Sequence, residues 1–162
     1  MLRSEVARWK RQGLCKPGRE VLIKSVAEAL PTYIMGVFRL PFSVCDDLMR
    51  MVHNFYWGSE KGKHKVHWKA WERLQQPKCK GGLGFRDFRL FNKALLACQA
   101  WRLIVIPNSL CARLLKSRYY PVGKIEDIVF SGNASSSWTA ICHGVDLLKK
   151  GLIWRVGNGQ SI

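Results

Sequence analysis

Pro77-Lys-Cys-Lys-Gly-Gly-Leu-Gly-Phe-Arg-Asp-Phe-Arg-Leu-Phe-Asn-Lys-Ala-Leu-Leu-Ala-Cys-Gln-Ala-Trp-Arg-Leu-Ile104 is the stretch on which the fold turns. Three glycines (Gly81, Gly82, Gly84) make a turn. Asp87 then stands where an N-cap belongs, and apolar residues recur at helical spacing to about Val105. The expected apolar face is Phe88, Phe91, Leu95, Leu96, Cys98, Trp101 and Leu103, stopped by Pro107-Asn108. Gly81-Gly-Leu-Gly84 also has the look of a phosphate loop. It lacks the Gly-x-x-x-x-Gly-Lys-Ser/Thr pattern and follows no clear strand, so a turn is the better reading.

The remaining chain reads the same way. A short helix over residues 2–12 carries Leu2, Val6 and Trp9, and is broken at Gly13 and Pro17-Gly18. A second starts near Arg19 with Leu22, Val26, Ala29, Leu30 and Tyr33 inward, and ends or kinks at Pro31. A third, Val44 to about Trp57, has Ser43 as N-cap and buries Val44, Leu48, Met51, Val52 and Phe55. One or two helical turns are expected over Lys69–Gln75. Ser109 caps a helix to about Tyr119 with Leu110, Leu114 and Leu115 inward. Ser136 or Ser137 opens a last helix bearing Trp138, Ile141, Val145 and Leu148. The Gly157-Asn158-Gly159 turn suggests a C-terminal hairpin. The expected class is mainly α: an irregular bundle of about five to seven helices with a short β-hairpin-like C-terminus. Three segments are expected, residues 1–57, a basic Gly/Trp-containing linker 58–86, and residues 87–162.

Twenty-seven Lys+Arg face eleven Asp+Glu, a formal charge of +16 over 162 residues. Such an excess attracts polyanions, nucleic acid first among them. It is concentrated in residues 1–24 (+5), 59–93 (+7) and 101–124 (+5), while residues 25–58 carry −1. No apolar run has the length of a membrane span, so no membrane partner is expected. The six cysteines form no Cys-x-x-Cys, which suits free thiols; Cys45, Cys98, Cys111 and Cys142 read as small core residues. The Arg-rich N-terminus fits a mitochondrial transit peptide and equally a basic surface helix, the reading preferred. Nuclear and mitochondrial locations both remain open.

Catalytic and metal-binding readings are weak. Asp46-Asp47 is the one adjacent acidic pair that could pass for a metal-binding dyad, and its place in a helical first turn is explained by capping. His64, His67 and Cys79 lack the paired spacing of a structural zinc site. Neither a metal nor a cofactor is expected. The alternation of Lys61, Lys63, His64, Lys65, His67, Trp68, Lys69 and Trp71 carries more. Its lysines would neutralise phosphates, and its rings would either stack unpaired bases or anchor the loop in the core. The tentative nucleic-acid-binding residues are Lys61, Lys63, Lys65, Lys69, Lys78, Lys80, Arg86 and Arg89, with Arg113, Lys116 and Arg118 as a second strip.

Several motifs occur in order: Gly18-Arg-Glu-Val-Leu-Ile-Lys-Ser-Val26, Ala29-Leu-Pro-Thr-Tyr33, Phe55-Tyr-Trp-Gly58, His67-Trp-Lys-Ala-Trp71, Gly81-Gly-Leu-Gly-Phe-Arg-Asp87, Phe91-Asn-Lys-Ala-Leu-Leu-Ala97, Ala100-Trp-Arg-Leu103, Arg118-Tyr-Tyr-Pro121 and Ser137-Trp138. Together they resemble the polyprotein of plant LINE-type non-LTR retrotransposons, in the part after the reverse transcriptase palm, and short plant mitochondrial reading frames of that family. The resemblance implies a thumb-like segment over residues 1–57 and a linker toward the zinc-binding and RNase H regions over residues 59–162. It supplies no catalytic residue, because the polymerase aspartates lie upstream in the family and the RNase H acids downstream. The expected function is therefore a retroelement reverse transcriptase fragment lacking the catalytic palm, not an enzyme, with at most non-specific nucleic-acid binding. The missing palm would be its ancestral packing partner. The alternative is a structural or interaction remnant with no ligand.

Overall fold

The computed structural model describes residues 2–58, 67–123, 125 and 134–152. Eight α-helices occur among them: α1 (Leu2–Lys10), α2 (Lys16–Leu22), α3 (Thr32–Met35), α4 (Phe42–Trp57), α5 (Trp71–Gln75), α6 (Phe88–Val105), α7 (Leu110–Tyr119) and α8 (Ser136–Gly151). The mainly-α class is the one expected. The helix count exceeds five to seven because the stretch from Lys16 to Met35 is divided into short pieces. No strand occurs among the described residues, so the hairpin has no support; the Gly157-Asn158-Gly159 turn lies outside them. No single described helix is long and apolar enough to cross a membrane.

The chain packs as two units, residues 1–92 and 93–162, with the boundary inside α6. In the first, α2 runs into a π-turn over Ile23–Ala27, where Glu28 N–H reaches back five residues to the Ile23 carbonyl (2.9 Å). The buried residues here are Ile23, Ala27, Glu28 and Met35, not the stripe of Leu22, Val26, Ala29, Leu30 and Tyr33; Tyr33 is 83 % exposed. The wider turn and the break at Pro31 disrupt the 3.6-residue repeat on which that stripe depended. Helix α4 begins earlier than expected, with Pro41 as N-cap and no side-chain cap, so Ser43 falls within its first turn. Its buried residues are Cys45, Val52, Phe55, Tyr56 and Trp57, whereas Val44 is exposed.

The backbone between α3 and α4 has few partners of its own. Asn92 supplies them: its amide nitrogen donates to the carbonyls of Met35 (2.7 Å) and Phe38 (2.9 Å), and its oxygen accepts from Leu40 N–H (3.0 Å). The side chain is almost fully buried and every one of these groups is satisfied through it.

The glycine turn packs against α5. Leu83 and Gly84 N–H both donate to the Leu74 carbonyl (2.9 and 3.0 Å), and Gly84 N–H also to Gln76 (2.9 Å). A Cβ on Gly82 would overlap the Gln76 carbonyl, which only glycine avoids. Asp87 then accepts from Arg89 N–H (2.8 Å), the cap expected from sequence.

In the second unit Ala100, Leu103, Ala112, Ile125, Trp138, Cys142 and Val145 form the core. Trp138 stacks on Tyr119 (centroids 4.6 Å apart) and on Tyr120 (5.6 Å). Ser109 caps α7 through Ala112 N–H (3.2 Å), and Ser135 caps α8 through Trp138 N–H (3.3 Å). Leu110 and Leu114, expected inward, are exposed; Ala112 takes the buried position and Leu115 packs at its edge. Cys98, Cys111 and Trp101 are likewise exposed. Small residues win these positions because helices meet closely: Gly144 lies against the Leu96 carbonyl, with no room for a Cβ.

Two outcomes follow. Asn92→Asp keeps the acceptor for Leu40 but sets an oxygen against two carbonyls, and should lower unfolding free energy by about 2–4 kcal/mol in a urea titration. Gly144→Ala should cost about 1–3 kcal/mol by overpacking α8 on α6; an unchanged urea midpoint would contradict the close approach.

Candidate nucleic-acid interface

The first unit holds a run of rings on α4, the 67–71 segment and the glycine turn. His67 stacks on Trp57 (5.3 Å) and meets His53 edge-on (4.6 Å); His53 meets Trp71 (5.1 Å). Trp71 stacks on Phe85 (5.1 Å), and Tyr56 meets Phe85 edge-on (5.2 Å). Cations lie over two of these rings, Lys16 over Trp57 (5.3 Å) and Lys24 over Phe85 (5.8 Å). Of the tryptophans in the basic-aromatic alternation, Trp71 therefore anchors the segment, together with Trp57 on α4, and Trp68 is left 77 % exposed. Burial lowers the His53 pKa, so this side chain resists charging among its aromatic neighbours.

Several carboxylates of this unit pair with cations. Asp46 pairs with Arg89, Asp47 with Arg50 (3.1 Å), Glu5 with Arg8 (2.6 Å) and Glu20 with Lys24 (2.6 Å). Asp46 and Asp47 thus serve different partners. Among the described residues no group of three His, Cys, Asp or Glu side chains could hold a metal. Cys79 is exposed, and His64 lies outside the described residues.

Glu28 is the buried charge. It accepts from Arg86 N–H (3.0 Å) and pairs with the Arg86 side chain (3.5 Å). Desolvation by burial raises its pKa, against the opposing pull of the Arg86 N–H and side chain and of Lys24.

The expected binding residues separate on these facts. Lys61, Lys63 and Lys65 lie outside the described residues. Arg86 is committed to Glu28 and lies over Phe91 (4.4 Å); Arg89 is committed to Asp46 and lies over Phe42 (5.4 Å). Each keeps part of its guanidinium in solvent. Lys69, Lys78 and Lys80 are exposed, the last two on one short 3₁₀ turn, Lys78–Lys80. Arg113, Lys116 and Arg118 are exposed on α7 of the second unit, with Arg118 over Tyr119 (5.6 Å). Among the described residues Lys69, Lys78, Lys80, Arg113 and Lys116 have no carboxylate partner, so their charge faces solvent. The pairing of arginines with acids could not be read from sequence, because the partners are up to 58 residues apart.

The sequence is 42 % identical over 132 residues to an uncharacterised mitochondrial protein of Arabidopsis thaliana, covering 81 % of this chain and 86 % of that protein. It is 35 % identical over 163 residues to a "putative ribonuclease H protein" of the same plant, covering 98 % of this chain and 26 % of that one. The chain therefore spans about a quarter of the longer relative. No protein-family model matches.

Glu28 supplies a test by pH. Its folded pKa is raised, so its contribution to stability is fully present below the unfolded value and is lost as pH rises through the folded one. Glu28→Gln removes that loss. The stability difference, variant minus wild type, should grow from acid to neutral pH when urea midpoints are compared; a difference independent of pH would contradict the desolvated carboxylate.

Proposed function

We propose, for a chain that belongs to the family of that Arabidopsis mitochondrial protein, a retroelement origin and one activity, sequence-independent binding to the nucleic-acid backbone. Residues 1–57 correspond in this reading to the thumb-like part of a LINE-type reverse transcriptase, and residues 59–162 to the linker that follows. The segment contributes grip and no catalysis. A longer relative named for ribonuclease H supports the nucleic-acid context.

The observation that carries the reading is the division of labour among charges. Arg50, Arg86 and Arg89 pair with Asp47, Glu28 and Asp46, whereas Lys69, Lys78 and Lys80 have no carboxylate partner among the described residues of this +16 chain. Lysine is a mobile point charge suited to phosphates, and each phosphate it neutralises releases counterions. Lys61, Lys63 and Lys65 extend this strip in sequence, Arg86 and Arg89 add partly exposed guanidiniums, and Arg113, Lys116 and Arg118 form the second strip.

A second reading, a structural remnant with no ligand, is favoured by one observation. Tyr33, Ile34, Phe38 and Phe42 are exposed apolar side chains close together in sequence, as a surface that once met another domain would be.

A salt titration decides between them. Anisotropy of a labelled random-sequence duplex should report affinity falling by about 100- to 1000-fold between about 50 and 200 mM salt, as expected for four or five phosphate contacts. Lys78→Gln with Lys80→Gln should reduce the logarithmic slope by about 2. Binding indifferent to salt, or none at low salt, sinks the backbone-binding reading. Primer extension with Mg²⁺ should give no product, and template-dependent synthesis would overturn the non-catalytic assignment.

A further inference from the structure

Helices α1 and α4 border an open cleft of about 450 Å³ in the first unit, away in sequence from both cationic strips. Its walls are two stripes with the same helical spacing: Arg3, Val6, Ala7 and Lys10 on α1, and Asp47, Arg50, Met51 and Asn54 on α4. Positions i, i+3, i+4 and i+7 share a helix face, so each stripe is one surface and the two stripes border a common space. The floor is apolar, with Val6 buried and Met51 half-buried. The rim is cationic: Arg3, Lys10 and Arg50 are exposed there against the single carboxylate of Asp47, which Arg50 already meets at 3.1 Å. Asn54 adds a half-buried amide able to donate and accept.

An apolar floor, a cationic rim and an amide answer the three parts of a nucleotide: the face of a base, a phosphate and the polar edge of the base. The volume is that of a small-ligand site. A duplex presents its phosphates outward and keeps its base faces stacked, so it cannot use the floor. An unpaired strand can. We propose that the α1–α4 cleft takes one unpaired nucleotide of a single strand, with its base on Val6 and Met51 and its phosphate between Arg3 and Arg50. The proposal rests on the nucleic-acid reading above and deepens it, because it makes a single strand the preferred substrate and places a binding site outside the lysine strips.

The test uses the full chain and two labelled probes, an oligothymidylate and a random-sequence duplex. Ala7→Trp fills the cleft from an exposed position without altering charge. It should lower oligothymidylate affinity about tenfold, the scale of losing roughly 50 Å² of apolar contact, and leave duplex affinity unchanged. Asn54→Leu, which removes the amide and keeps the size, should act in the same direction and serves if Ala7→Trp does not fold, as judged by circular dichroism. Equal losses on both probes, or no loss on oligothymidylate, overturns the cleft assignment while duplex binding keeps the backbone reading intact. Wild-type chain that binds neither probe at low salt overturns both.

Discussion

The packing of the first unit depends on a stretch of backbone that cannot satisfy itself. Between the π-turn and α4 the chain bends through Pro31 and Pro41, with only one short helix, Thr32–Met35, in between. Buried peptide groups without partners are costly. One side chain from the far end of the unit meets that need, and one beside the bend serves the far end in return. Asn92 serves Met35, Phe38 and Leu40, while Glu28 leaves the π-turn to accept from Arg86 N–H. They are also the two buried polar side chains among the described residues. The glycine turn and the first turn of α6 are therefore held to α2–α4 by directional bonds as well as by apolar contact.

Electrostatics follows from the same economy. The two carboxylates that join distant elements of this unit by ion pairs each take an arginine: Asp46 with Arg89 and Glu28 with Arg86. Guanidinium suits such fixed contacts because it is planar, directional and weakly hydrated. The ammonium groups of Lys69, Lys78 and Lys80 are left in water, where their field is long-ranged and screened by salt. Around the glycine turn the basic residues thus divide into arginines that pair with acids and lysines that stay in water. The α1–α4 cleft is the place where cations instead border an apolar floor.

The motifs that carry the family resemblance turn out to be packing devices. Gly82 fits under the Gln76 carbonyl, Phe85 enters the ring stack and Asp87 caps α6. His67 and Trp71 join that stack, and Arg19 donates to the Tyr56 carbonyl (3.2 Å). Tyr119 and Tyr120 meet Trp138, which brings the Arg118-Tyr-Tyr-Pro121 and Ser137-Trp138 motifs together. Residues of this kind hold a shape.

Sequence by itself determined the helical class, the start of α6 at Asp87, the cap of α7, and the sign of the surface charge, while the α8 cap is Ser135 where Ser136 or Ser137 was expected. Each depends on neighbours in the chain: a cap on a residue three positions away, a class on periodicity, a charge on composition. Tertiary structure decided which apolar residues are buried. Ile23, Ala112 and Ala100 lie inside while Tyr33, Leu110 and Trp101 face solvent, because close helix approach rewards small side chains and the π-turn alters the repeat. It also decided which cations are spent, since Arg86 and Arg89 meet acids that lie 58 and 43 residues away. And it made a cleft from two unremarkable helical stripes, because Arg3 and Arg50 become neighbours of one space only when α1 packs on α4.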